Sequence, residues 1–314
     1  MTDNFKTLII ANPASSGGVL RRHWGAIADT IRRAFGPFEH RFTEYPRHAT
    51  VIAREALRSG VEQVVALGGD GTLSEVSAGF LENGEPIRRD AVLGLLPHGT
   101  GGDFRKTAGI SKDLAESAAA LRGRRTQPLD LGLIHYTRPD GSPASGSFVN
   151  IASFGMSGLV DRYVNESSKS LGGLLSFGLA TARAAAVYRN QLVSLSLDGA
   201  APFETRIANV AVANGRYFGG GMKVAPFASL DDGLLDVIGI GDFSPLEMLS
   251  FGYRIYLGTH LDHPKVRPDR ARKVEARPVD PAEDVLLDVD GETPGKLPAT
   301  FEILPAAIRL KVPG

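Results

Sequence analysis

Apolar and polar positions alternate along the first 97 residues in the rhythm of an α/β unit. KTLIIAN, residues 6–12, reads as a buried strand, and LRRHWGAIADTIRRAF, residues 20–35, carries its apolar side chains at helical spacing. FEHRFT (38–43) predicts a second strand and ATVIAREALRSG (49–60) a helix that stops on Gly60. The strand QVVALG (63–68), a helix from about Leu73 to Leu81 and the strand AVLGLLP (91–97) complete the series. Short apolar strands alternating with helices predict a parallel, doubly wound sheet, whose ligand sites lie beyond the carboxyl ends of the strands. Glycine-bearing loops at 12–18, 68–72 and 97–103 each follow a strand end, so they belong on one sheet edge, facing one crevice.

The texture changes after about residue 128. LDLGLIHY, SFVNIASF, LVSLSL, RIANVAVAN, GLLDVIGI, KVEARP and DVLLDV are strand-like and mostly joined by Gly, Pro, Asp and Asn turns, which predicts antiparallel pairing. Helical patterns interrupt them at 170–189 and 244–258, and TRPDGSPASG reads as a loop. The reading is an α/β N-terminal domain over 1–128, completed by the closing segment 302–314, and a mainly antiparallel β-sandwich over 129–301.

Composition narrows the function classes. With 35 basic and 35 acidic residues in 314, the chain has no global pull toward nucleic acid, and none is expected as a partner. No cysteine is present, which removes disulfides and thiolate metal sites and suits a reducing cytosol. MTDNFKTLII lacks the basic and apolar regions of a secretory signal, so a cytoplasmic protein is expected. The most apolar window, 170–189, is broken by three glycines, Thr181 and Arg183, and falls short of the roughly 20 apolar residues of a bilayer span.

The chemistry lies in the loops. ANPASSGG (11–18) leads from a strand toward a helix and leaves backbone N–H groups for an anion. In GGDGTLSE (68–75), Thr72 and Glu75 have the spacing of a capping box, but Asp70, a carboxylate between glycines, is not explained by capping. LPHGTGGDF (96–104) repeats the grammar with Thr100 and Asp103. Three such loops on one edge predict a polyphosphate site in which Asp70 and Asp103 manage phosphate and metal charge, although neither the G-x-x-x-x-G-K-[ST] nor the G-x-G-x-x-G pattern is present. DVDGE (288–292) reads on its own as an Asp-Gly hairpin turn.

The ordered set ANPASSGG, GGDGT, PHGTGGDF, GGGMKVAPFASLDDGLLDV and DVDGE resembles the diacylglycerol kinase catalytic-domain family, the soluble bacterial lipid kinases in particular. The resemblance implies an NAD kinase-like N-terminal sheet and transfer of the γ-phosphate of ATP to the hydroxyl of a membrane lipid of diacylglycerol, sphingoid-base or ceramide type. It places ATP against Asn12, Pro13, Ala14, Ser15, Ser16, Thr43, Gly69, Asp70, Gly71, Thr72, Leu73, Ser74, Glu75, Thr100 and Asp103. It makes Glu292 the proton acceptor, and implies a structural magnesium on the Asp232 side chain with the Ser229 and Leu234 main chains, apart from the magnesium that travels with ATP. Peripheral membrane contact follows, through basic clusters or through apolar helices, and a homodimer is left open. Gly102 stands where the family usually has asparagine, and Ser16 where its first loop often has glycine. An NAD kinase-like nucleotide kinase and a catalytically weak lipid- or nucleotide-binding regulator are the alternative readings.

Overall fold

The computed structural model describes residues 5–99, 101–166, 180, 183–184 and 187–313. Thr100 and most of the apolar window 170–189 therefore lie outside the described residues. The chain divides into two compact units, Met1–Leu131 with Pro305–Gly314, and Gly132–Leu304.

In the first unit β1 (Thr7–Ala11), β2 (Glu39–Phe42), β3 (Gln63–Gly68) and β6 (Val92–Pro97) form a parallel sheet, extended by the end of β17 (Lys296–Lys311) in the order β17-β6-β3-β1-β2. Every residue of β3 is buried, as a central strand covered on both faces must be. Ile9, Val65, Leu67 and Leu96 point to α2 (Trp24–Ala34) and α6 (Leu114–Ala120), meeting Ile27, Ile31 and Ala118. Buried Ile52, Ala53, Leu73 and Val76 belong to α3 (His48–Arg58) and α4 (Asp70–Ala78). Two short strands, β4 (Leu81–Glu82) and β5 (Glu85–Pro86), form a small hairpin. The closing strand is tied in by Asp130, which accepts the Ala306 N–H at 2.6 Å, and by Lys311, whose Nζ donates to the Arg122 and Gly123 carbonyls at 2.8 Å.

The second unit stacks two sheets. One runs β14 (Val266–Ala271), β13 (Leu235–Ile240), β12 (Asn209–Ala213), β9 (Ile151–Gly155), β16 (Leu287–Val289), all antiparallel. The other contains β11 (Phe203–Ile207), β10 (Gln191–Leu197), β15 (Lys273–Pro278) and the first part of β17, with β7 (Thr126–Thr137) and β8 (Pro143–Phe148) attached. Alternation along β12 shows the layering: Val210 and Val212 enter the core between the sheets with Phe154, Leu195 and Phe301, whereas Ala211 and Ala213 face α8 (Pro245–Leu257) and its Phe251 and Ile255. Gly132 is required in β7, because a Cβ there would sit 2.1 Å from the Phe148 ring.

Two sequence expectations change, and one strand is added to those expected. SFVNIASF and RIANVAVAN are each two strands, divided at Val149–Asn150 and at Ala208. VRPDRA is a strand although it holds a proline and three charges, because β14 is the edge of its sheet, where a missing N–H costs nothing and charge discourages further pairing. The expected loop at 138–146 gives way to β8 from Pro143 onward. Among the described residues no helix is long and apolar enough to cross a membrane.

Candidate active site

In the parallel sheet of the first unit, the chain after β1 crosses to β2 on one side and then to β3 on the other, so the strand order switches direction between β1 and β3. That is where a doubly wound sheet opens a ligand crevice. The loops after β1, β3 and β6 meet there. Asn12 leaves β1 bonded through its N–H to the Leu67 carbonyl (3.2 Å), its Oδ1 accepts the Ala14 N–H (3.0 Å), and its amide donates to Thr72 Oγ1 (3.2 Å). The His98 N–H bonds the Gly68 carbonyl (2.7 Å), and Ser16 Oγ donates to the His98 carbonyl (3.1 Å). Thr43, at the end of β2, donates its N–H to the Ala11 carbonyl (3.0 Å) on the same edge. A cleft of about 250 Å³ results, lined in part by Ser16, Gly69, Asp70, His98, Gly101 and Arg105.

Two glycines allow this closeness. A Cβ on Gly99 would lie 2.6 Å from Gly69 Cα, and one on Gly68 would lie 2.4 Å from Thr72 Oγ1. Ser16, Gly17 and Gly18 turn the first loop with consecutive left-handed φ values of 51°, 65° and 81°. Ser16 holds a conformation that glycine adopts at less cost.

Asp70 begins α4 and is half-buried. Its Oδ2 accepts the backbone N–H groups of Gly102 (2.7 Å) and Asp103 (3.1 Å), and its Oδ1 that of Phe104 (3.3 Å). The carboxylate therefore clamps the third loop to the second. Asp103 is 5% exposed and bonds Lys106 Nζ at 2.8 Å in the first turn of α5 (Asp103–Ala108). The capping box expected from Thr72 and Glu75 does not form: the helix begins three residues before Leu73, with Gly69 as an N-cap that offers no side-chain bond. Tertiary partners take both side chains instead, Thr72 receiving Asn12 and Glu75 accepting the Ala49 N–H (3.3 Å) at the start of α3. The uncapped first turn of α4 leaves backbone donors for an anion. Gly71 and Ser74 reach the surface of that turn and Leu73 is buried under it, as Pro13, Ala14 and Ser15 edge the first loop. Sequence reasoning missed Arg105 and Lys112, two cations on the cleft wall. Their signal was weak, a basic residue soon after a glycine-rich loop.

In the second unit, DVDGE is a two-residue hairpin. Asp290 (φ 51°) and Gly291 (φ 88°) both turn left-handed, and Val289 and Glu292 exchange N–H···O bonds of 2.8 and 3.0 Å. Asp290 pins the turn by accepting the N–H groups of Val149 (2.9 Å), Asn150 (3.1 Å) and Ile151 (3.0 Å), which explains the break between β8 and β9. Asp288 accepts Ser153 Oγ and the Gly291 N–H, each at 2.9 Å. Glu292 is exposed, and its carboxylate has no hydrogen-bond or ion-pair partner among the described residues.

Ser229, Asp232 and Leu234 share one loop before β13. Asp232 Oδ1 accepts the Leu234 N–H (3.1 Å) and its Oδ2 pairs with Arg270. Asp236, 5% exposed, leaves Oδ2 buried without a hydrogen bond, 3.4 Å from Arg270 Nε. Burial raises its pKa above the ordinary carboxylate range, with Arg270 opposing and the Asp232 charge adding to the rise. Asp232 and Asp236 supply carboxylate oxygens of the kind a hydrated magnesium ion takes, and Arg270 is ion-paired with both here. Among the described residues no three His, Cys, Asp or Glu side chains cluster as a metal site. His260 is buried with its Nε2 2.8 Å from the Val224 carbonyl, and desolvation lowers its pKa.

An α/β unit with a switch-point cleft walled by glycine loops, followed by a β-sandwich, is the architecture of the NAD kinase-like fold class. The comparisons narrow this. Residues 6–134 match the diacylglycerol kinase catalytic domain, and residues 150–312 match the YegS C-terminal NAD kinase beta sandwich-like domain. The chain is 27% identical to "Diacylglycerol kinase" of Bacillus subtilis (strain 168), over 97% of this chain and 95% of that one. It is 31% identical to "Probable lipid kinase YegS-like" of Xanthomonas euvesicatoria pv. vesicatoria (strain 85-10), over 91% and 90%. A crystal structure of a diacylglycerol kinase from Bacillus anthracis str. Sterne superposes with a TM-score of 0.71 at 23% identity, covering 99% of this chain and 98% of that one, and supports the fold. The chain belongs to the diacylglycerol kinase catalytic-domain family, YegS-like proteins included.

Proposed function

We propose that the protein is an ATP-dependent lipid kinase that transfers the γ-phosphate to a hydroxyl of a membrane lipid of diacylglycerol, sphingoid-base or ceramide type. The observation that carries this reading is the meeting of three strand-end loops on one phosphate-sized cleft in a chain of this family. Phosphoryl transfer asks a protein for positioning and charge neutralisation. Asn12, Ser16, the first turn of α4 and the loop held by Asp70 do the positioning. Glu292, rigid in backbone and free in side chain, takes the proton of the acceptor hydroxyl. Asp70 and Asp103 lie where a magnesium ion accompanying ATP would be held and would supply neutralisation of phosphate charge, and Asp232 with the Ser229 and Leu234 carbonyls would hold a second, structural ion. Labelled ATP offered separately with diacylglycerol, sphingosine, ceramide and NAD tests the whole reading: label is expected in one lipid. Label in NAD would make the protein a nucleotide kinase, and bound ATP without transfer would make it a regulator.

Access to a bilayer is read onto α8. Its inner face packs on the sheet, yet Tyr253, Tyr256 and Leu257, at i, i+3 and i+4 on the outer face, are 69%, 48% and 52% exposed, and Phe227 beside the helix end is 77% exposed. Tyrosine and phenylalanine suit the water–lipid boundary, and Lys223 and Arg254 lie alongside for anionic headgroups. The basic cluster at 265–273 is instead largely spent in ion pairs, with Glu247, Asp269, Asp232 and Glu275. Replacing Phe227, Tyr253 and Tyr256 together by serine is expected to weaken sedimentation with anionic phospholipid vesicles at least tenfold, at the roughly 1.5–3 kcal/mol carried by each large side chain fully buried. Unchanged vesicle binding, or a concentration-dependent mass lost in the variant, would assign this face to something other than the bilayer.

A further inference from the structure

The glycine at position 102 has a structural counterpart three residues on. Gly102 sits at φ 71°, ψ 44°, and a Cβ built on it would lie 2.7 Å from Arg105 Nε, 3.2 Å from Cδ and 3.4 Å from Cγ. The Arg105 side chain thus runs back across the space that a residue-102 side chain would fill, and it does so on the wall of the cleft. It is half-buried, and its guanidinium has no hydrogen-bond or ion-pair partner among the described residues. Charge makes this unusual. The cleft wall carries Asp70, and a nucleotide would add several negative charges. The described lining offers two side chains that are always cationic at neutral pH, Arg105 and Lys112, of which Lys112 is exposed. A half-buried guanidinium without a protein partner is suited to fork-like pairing with a phosphate.

We propose that Arg105 binds the phosphate chain of the nucleotide, and that Gly102 is glycine because a side chain there would displace the Arg105 guanidinium from the cleft. The inference rests on the nucleotide reading of the cleft, and adds a phosphate ligand and its steric condition.

The test is equilibrium binding of ATP and of adenosine by the full chain. Arg105→Ala is expected to weaken ATP binding by about tenfold to a hundredfold, the range of a charge-assisted hydrogen bond, and to leave adenosine binding and Tm unchanged. Arg105→Lys should recover only part of the loss. Gly102→Asn, whose side chain tolerates a left-handed φ better than most, should weaken ATP binding comparably, and the double variant should be no weaker than the poorer single one. Wild-type affinity for ATP in Arg105→Ala overturns the proposal, as does an equal loss for adenosine or additive losses in the double variant. Absence of ATP binding by the wild-type chain would overturn the nucleotide reading itself, a result distinct from all of these.

Discussion

Glu292→Gln is expected to lower kcat by about three orders of magnitude on the lipid that accepts phosphate, within the range of a positioned general base, with Tm and ATP affinity unchanged. The expectation comes from how the turn is built. Asp290 takes three backbone N–H groups from residues 149–151, and Asp288 takes the Gly291 N–H, so the backbone of the turn is held by its neighbours. Glu292 contributes only its exchanged backbone bonds with Val289, which glutamine keeps. Its carboxylate is exposed and spends nothing on the fold. Losing the negative oxygen while keeping the shape therefore removes a proton acceptor and little else. A variant with kcat within tenfold of wild type would remove Glu292 from the base role. A large fall in Tm would show that the side chain serves the fold.

Asp70→Asn should behave differently, losing stability as well as turnover. Both carboxylate oxygens are occupied, Oδ2 by the Gly102 and Asp103 N–H groups and Oδ1 by that of Phe104. Asparagine has one acceptor oxygen, and its amide nitrogen would confront an N–H donor whichever way it is turned. At least one backbone donor in a half-buried site is stranded, which costs about 1–3 kcal/mol, or a Tm lower by roughly 2–12 °C for a unit of this size. The third loop then loses its tie to α4, and ATP affinity should fall with it. Calorimetry and binding separate the possibilities: turnover lost at unchanged Tm would mean that Asp70 acts directly on metal and phosphate and does not hold the loop.

Much of the architecture is legible in the residue pattern because strand and helix periods are local. The β/α alternation, the parallel sheet and the mainly antiparallel second half are visible as runs of period 2 and 3.6. The single edge carrying the glycine loops follows from where strands end. Local rules misled where a residue's partner was distant in sequence. Thr72 and Glu75 look like a capping pair because their spacing is right, yet Asn12 and Ala49 are their partners. VRPDRA carries no clear strand pattern, and it is the edge position of β14 that accepts its proline.

By itself, then, the sequence settled the fold class and the ordered motifs of a kinase family, since both are written in residue type and short spacing. Only the tertiary structure decided what each polar side chain does. Asp70 and Asp290 stand in similar Asp-Gly contexts, and each accepts three backbone N–H groups, while Glu292 and Arg105 are left with charge that the described protein does not use. The physical reason is that backbone donors stranded away from water must be satisfied by whichever acceptor the fold brings near, and that proximity spans tens to more than a hundred residues of chain.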